Sequence, residues 1–132
     1  MNQNITHLAL VVDDYDEAIA YYTKILHFDL IEDTILSETK RWVIVAPKGS
    51  AGCSLLLAKA ATDEQKTRVG NQTGGRVFLF LNTDNFDRDF QNLLDNDVKI
   101  VRAPVAETWG TVAVFSDLYG NLWDLIGPKV II

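Results

Sequence analysis

Two titratable side chains stand inside apolar, strand-like runs: His7 in Ile5-Thr6-His7-Leu8-Ala9-Leu10-Val11-Val12, and Asp124 in Leu122-Trp123-Asp124-Leu125-Ile126. Burying a charge is costly unless it is paired or metal-bound, so Asp124 calls for a reason. Backbone N–H groups or His7 could hold it. A His7–Asp124 pair could also move a proton, because a neighbouring carboxylate raises a histidine pKa. His7 reads equally as a strand histidine that lines a pocket or bonds a neighbour. Phe78, Phe80 and Asn82 alternate along one strand and so share a face. Small-molecule pockets are typically apolar with a few placed polar groups, although the two phenylalanines would serve as well as core. Trp109 opens a strand beside a loop and suits a stacking lid. Glu107, on the loop before it, is a further carboxylate within reach of such a pocket. Cys53 has no basic neighbour in sequence to lower its pKa and reads as an inert buried thiol. Arg76 and Arg102 read as surface or interface residues. No Gly-rich phosphate loop, Gly-x-Ser-x-Gly elbow, Cys-x-x-Cys or His-Glu-x-x-His occurs.

The elements that must position these residues follow from pattern. Ile5 to Val12 reads as a strand with His7, Ala9 and Val11 on one face. Asp14, with Glu17 three residues on, reads as a helix cap with a capping-box partner. The helix it starts runs to about Leu26, with Ile19, Tyr22, Ile25 and Leu26 as its apolar stripe. His27, near its end, suits the negative end of the helix dipole. Phe28 to Asp33, Arg41 to Ala46 and Cys53 to Ala58 read as strands. Lys59 to Gly75 is polar and reads as a connector with one helical turn near Thr62 to Lys66. The pattern then restarts: a strand at Arg76 to Asn82, a helix capped by Asp84 and carrying Phe86, Phe90, Leu93 and Leu94, then strands at Val98 to Arg102, Thr111 to Phe115 and Leu122 to Ile126. Asp117 to Asn121 is turn chemistry, and Trp123, alternating away from Asp124, is expected to pack beneath the helices.

The 71-residue spacing from Asp13-Asp14-Tyr15-Asp16 to Asp84-Asn85-Phe86-Asp87 also takes Leu8 to Leu79 and Leu10 to Leu81. Self-similarity at fixed spacing signals duplicated units. Each unit here is βαβββ. The predicted fold class is α+β: one domain over residues 1–132, with module one at about 4–58, a connector at about 59–75 and module two at about 76–128.

Ile5 to Asp14, Asp16-Glu17-Ala18-Ile19-Ala20-Tyr21-Tyr22 and Asp117-Leu118-Tyr119-Gly120-Asn121-Leu122-Trp123-Asp124-Leu125 resemble the vicinal oxygen chelate superfamily. That superfamily includes glyoxalase I, extradiol dioxygenases and bleomycin- and fosfomycin-resistance proteins. The runs Val69 to Leu81 and Trp109 to Ile126 also resemble bacterial glyoxalase-like proteins of unassigned function. The resemblance implies a mixed sheet curled around a central cup, commonly in homodimers, and a metal site drawn from the first and last strand of each module. His7 matches the first such position. Its counterpart 71 residues on is Phe78. The last strand usually supplies Glu in a Gly-Asn-x-x-Glu pattern, whereas Gly120-Asn121-Leu122-Trp123 is followed by Asp124, whose carboxylate is withdrawn by about 1.5 Å. Ligand distances tolerate only about 0.2 Å. The remaining position offers Ser54 or Leu55. A catalytic zinc needs about three protein ligands, and a non-haem iron triad needs two histidines and a carboxylate.

These readings lead to three expectations. The first is a metal-free binding protein without a cofactor, holding an aromatic or cationic small molecule in a pocket of His7, Phe78, Phe80, Asn82, Trp109 and Asp124. The second is a glyoxalase-type lyase, isomerase or dioxygenase with a divalent metal (Zn, Ni, Mn or Fe) on His7 and Asp124, with Glu107 as a possible rescue ligand. The third is a metal-free acid–base enzyme using His7 with Asp124.

Composition narrows the classes. The chain has 132 residues, 48% hydrophobic and 23% charged, an ordinary globular balance. A net charge of −6 argues against nucleic-acid partners and favours cationic ligands. One cysteine excludes an internal disulfide and predicts a reducing, cytoplasmic setting. The polar start, Met1 to Asn4, predicts no signal peptide, and no apolar run approaches the ~20 residues of a membrane span.

Overall fold

A computed structural model describes residues 1–128. Contacts divide the chain into two compact units, Met1–Val69 and Gly70 onward.

The N-terminal unit holds β1 (His7–Val12), α1 (Tyr15–Ala20), β2 (Asp29–Ile35), β3 (Arg41–Ala46), β4 (Ser54–Lys59) and α2 (Asp63–Arg68). Its sheet has the order β1-β4-β3-β2. β1 and β4 are parallel, and the other pairs are antiparallel. Alternation along β1 leaves His7 and Ala9 exposed and buries Leu10 and Val12 completely. Leu57 and Val43 share the row of Leu10, and all three are fully buried with Ala18 and Tyr22 of the helical segment. As expected, Asp14 caps α1 by accepting the Glu17 N–H at 2.8 Å. The helix differs from expectation beyond Ala20, where Tyr21–Ile25 forms a π-helical turn. His27, with φ 60, then ends it, and Phe28 N–H returns to the Tyr22 carbonyl at 2.8 Å. The connector contains a full α2, capped by Thr62. Thr62 accepts the Gln65 N–H while the Gln65 side chain accepts the Ala61 N–H.

The C-terminal unit holds β5 (Val77–Asn82), α3 (Phe86–Asp95), β6 (Lys99–Glu107), β7 (Gly110–Ser116) and β8 (Leu122–Gly127), in sheet order β5-β8-β7-β6. β5 and β8 are parallel, and the rest are antiparallel. Trp123, Leu125 and Gly127 point to the helix-bearing face. A Cβ on Gly127 would lie 2.5 Å from Cβ of Phe86 at the start of α3. Trp123 stacks on Phe115 at 5.8 Å and is 2% exposed, the buried placement its alternation implies.

The turn from β7 to β8 is built on Asp117, which is buried. Its carboxylate accepts the N–H groups of Tyr119, Gly120 and Asn121, the Asn121 amide and the Trp123 indole N–H. Gly120 takes φ +105 there, and Gly70 presses so closely on Tyr119 that a Cβ would fall 1.8 Å from its carbonyl oxygen.

Three expectations are corrected, two in this unit and one in the N-terminal unit. The cap of α3 is Asn85, whose side chain accepts the Arg88 N–H. Asp84 instead pairs with the Arg88 guanidinium at 3.1 Å. The 71-residue spacing from Asp14 leads to Asn85, because cap positions recur with the repeat. The strand expected to end at Arg102 continues to Glu107 through Pro104. β6 is an edge strand, where the N–H that proline lacks is not required. Cys53 is half-exposed just ahead of β4, not a buried thiol.

Candidate ligand face of the C-terminal unit

The site is built from the side of β8 that α3 does not cover. Leu122, Asp124 and Ile126 alternate onto it while Trp123 and Leu125 go beneath. Residues paired across neighbouring strands share a face, so the register reads the surface directly. One row runs Phe80, Asp124, Val114, Arg102 across all four strands. The next runs Asn82, Ile126, Val112, Val105. Val112 and Val114 form an apolar floor, while Phe80 is 62% exposed although it lies within a strand.

Asp124 is half-buried in this floor. Burial pushes its carboxyl above the usual carboxylate range, and the positive charge of Arg102 pulls it back in part. Among the described residues neither the Asp124 nor the Arg102 side chain makes a hydrogen bond or an ion pair. Beyond Ile126 the face opens into a groove of about 550 Å³ lined by Asn82, Thr83, Asp84, Trp109, Ile126, Gly127 and Pro128. Trp109 stands at the tip of the β6–β7 hairpin with 59% of its surface exposed. Thr83 Oγ1 and Asp89 share a short hydrogen bond that holds the groove's lip to α3.

The expected pocket residues therefore fall into groups. Phe80 sits beside Asp124, and Asn82 shares the groove with Trp109. Phe78 lies at a register shift in β5 between Val77 and Leu79, so the simple alternation assumed for Phe78, Phe80 and Asn82 breaks at Phe78. Glu107 is not on a loop but ends β6, opposite Gly110. The register sets it four residues along and two strands across from Asp124, about 13 Å by about 10 Å. His7 belongs to the N-terminal unit, opposite Ser54 on β4, with its ring edge-to-face to Trp42 and the two ring centroids 6.1 Å apart. Arg102, read from sequence as a surface or interface residue, is exposed and shares the face of Asp124. Only a strand running past Pro104, with the register shifts either side of Arg102, reveals this.

The donors present do not match a family metal. Ser54, not a carboxylate, lies opposite His7, and phenylalanine occupies the corresponding position of the second unit. Among the described residues no group of three or more His, Cys, Asp or Glu side chains is placed to hold an ion. No helix among them is long and apolar enough to cross a membrane.

Comparison with known proteins agrees with the architecture. An uncharacterized protein of Shewanella frigidimarina (strain NCIMB 400) is 61% identical over 127 residues, spanning 96% of this chain and 94% of the relative. The crystal structure of UcmS2 superposes with a TM-score of 0.82 at 28% identity, covering 96% of this chain and 98% of that one. That of TnmS3, an antibiotic binding protein from Streptomyces sp. CB03234, superposes with a TM-score of 0.76 at 29% identity, covering 97% and 98%. The family profile of the Glyoxalase/Bleomycin resistance protein/Dioxygenase superfamily matches residues 4–125. With its doubled βαβββ order and that match over nearly its whole length, the chain belongs to the Glyoxalase/Bleomycin resistance protein/Dioxygenase superfamily.

Proposed function

We propose that the protein binds and sequesters a small, largely aromatic molecule on the open face of its C-terminal sheet. The observation that carries this reading is the row in which exposed Phe80 adjoins unpaired Asp124, beside a groove under Trp109. Exposed Phe80 beside one carboxylate, with Trp109 over the neighbouring groove, suits a cationic aromatic ligand through ring stacking and cation–π attraction. Similarity to an antibiotic binding protein at 29% identity supports the same class of ligand. A cytoplasmic homodimer is the setting we propose, in keeping with the family and with a single cysteine, and sedimentation equilibrium tests the dimer.

The test is calorimetric titration of a panel of aromatic antibiotics and cationic dyes into the protein. One saturable site per chain is expected, with Phe80→Ala weakening binding about tenfold. An undiminished affinity in Phe80→Ala would remove this face as the site. Bound metal per chain, measured by elemental mass spectrometry on tag-free protein with a His7→Ala control, tests the metalloenzyme reading. The donor chemistry opposes that reading, and near-stoichiometric metal lost in the variant would restore it.

A second reading, acid–base catalysis without a metal, is favoured by one observation. A carboxyl raised by burial holds its proton to higher pH than an exposed one, the direction a general acid or base requires. Bound ligand recovered chemically unchanged after long incubation supports sequestration. Conversion that stops in Asp124→Asn and His7→Ala supports catalysis.

A further inference from the structure

Asp124 and Arg102 are the two charged members of one cross-strand row, separated by a single strand that contributes Val114. Their backbones lie two strand spacings apart, about 10 Å. Val114 is buried and apolar, so no polar side chain of this row stands between the two charges. Lys99, opposite Ser116 and in the row of Leu122, adds a second cation on the Arg102 side of the same face. Among the described residues Asp124, Arg102 and Lys99 have no ion-pair partner. Opposite charges within one field but not in contact leave both ends free for a ligand, and Arg102 already acts on the Asp124 carboxyl through space. An ion pair within the protein would have closed this gap.

We propose that the ligand lies across the strands with an ammonium at Asp124 beside the ring of Phe80, an aromatic body directed along the row past Val114, and an acidic group at Arg102 and Lys99. The inference deepens the binding reading above and rests on it. The preferred class is an amphoteric aromatic about 10 Å from amine to acid, chosen over purely cationic or purely anionic analogues. Charge-assisted hydrogen bonds at two separated points set orientation as well as affinity.

Three probes test this by calorimetry: 4'-(aminomethyl)biphenyl-4-carboxylate, 4-phenylbenzylamine, which lacks the acid, and biphenyl-4-carboxylate, which lacks the amine. Wild-type protein should bind the first at least about tenfold more tightly than either of the others. Asp124→Asn should erase the advantage conferred by the amine and leave the affinity for biphenyl-4-carboxylate unchanged or improved. Arg102→Gln should erase the advantage conferred by the acid and leave the affinity for 4-phenylbenzylamine unchanged. Equal binding of all three probes, or variants that weaken all three alike, overturns the proposed axis. If that binding is still weakened by Phe80→Ala, the face remains the binding site. Failure of all three probes to bind also overturns the axis, and the antibiotic and dye panel with Phe80→Ala then decides whether the face reading falls with it.

Discussion

Single residues divide here into those that hold the fold and those left unsatisfied on its surface. Asp117 is of the first kind. Its carboxylate collects three backbone N–H groups, an amide and an indole N–H, the nearest at 2.9 Å. Asp117→Ala would strand these donors in a buried turn. The expected loss is about 3 kcal/mol in urea denaturation, and a loss under about 1 kcal/mol would mean that the turn re-forms without it. Asp124 is of the second kind. Burial holds its folded pKa above the unfolded value, with Arg102 opposing. The native state then binds the proton more tightly than the unfolded chain. The stability contributed by this group is full below the unfolded carboxylate range and is lost as pH rises through the folded pKa. Asp124→Asn is expected to be more stable than wild type at about pH 7 and to lose that advantage at about pH 3. Thermal melts across the range check the sign.

At the scale of elements, the repeat fixes where helices start. Asp14 and Asn85 do the same work in the two units, each accepting the N–H three residues on. Asn85→Ala should cost about 1 kcal/mol. Asp84→Ala, which removes only an exposed pair with Arg88, should cost under about 0.5 kcal/mol. Chemical denaturation of the two variants separates cap from neighbour, and equal costs would contradict the assignment. The strands show a similar division. β8 alternates without interruption, so Asp124 and Trp123 fall on opposite faces as their order demands. β5 and β6 carry register shifts, and there alternation alone misplaces Phe78 and hides Arg102.

For the whole molecule, the net charge of −6 acts at longer range than any contact. It should draw cationic aromatics toward the protein. Association rates for a cationic probe should therefore fall about threefold or more as the Debye length shrinks from about 30 Å to about 8 Å, that is, from 0.01 to 0.15 M salt. Stopped-flow fluorescence measures this, with Trp109 in the groove as reporter. Rates independent of salt would show that the ligand is not steered by the acidic surface.

The sequence by itself determined the doubled βαβββ order, the cap at Asp14, the buried place of Trp123 and the isolation of Asp124 among apolar neighbours. These follow from periodicity, turn chemistry and a fixed repeat, which are local or translational properties of the chain. The tertiary structure decided the run of β6 through Pro104, the hairpin position of Glu107 and the row joining Phe80, Asp124, Val114 and Arg102. Those depend on hydrogen-bond register between strands and on which strand lies at the edge. Register is a pairing between distant residues, and a single bulge moves it by one position without leaving a mark in composition or alternation.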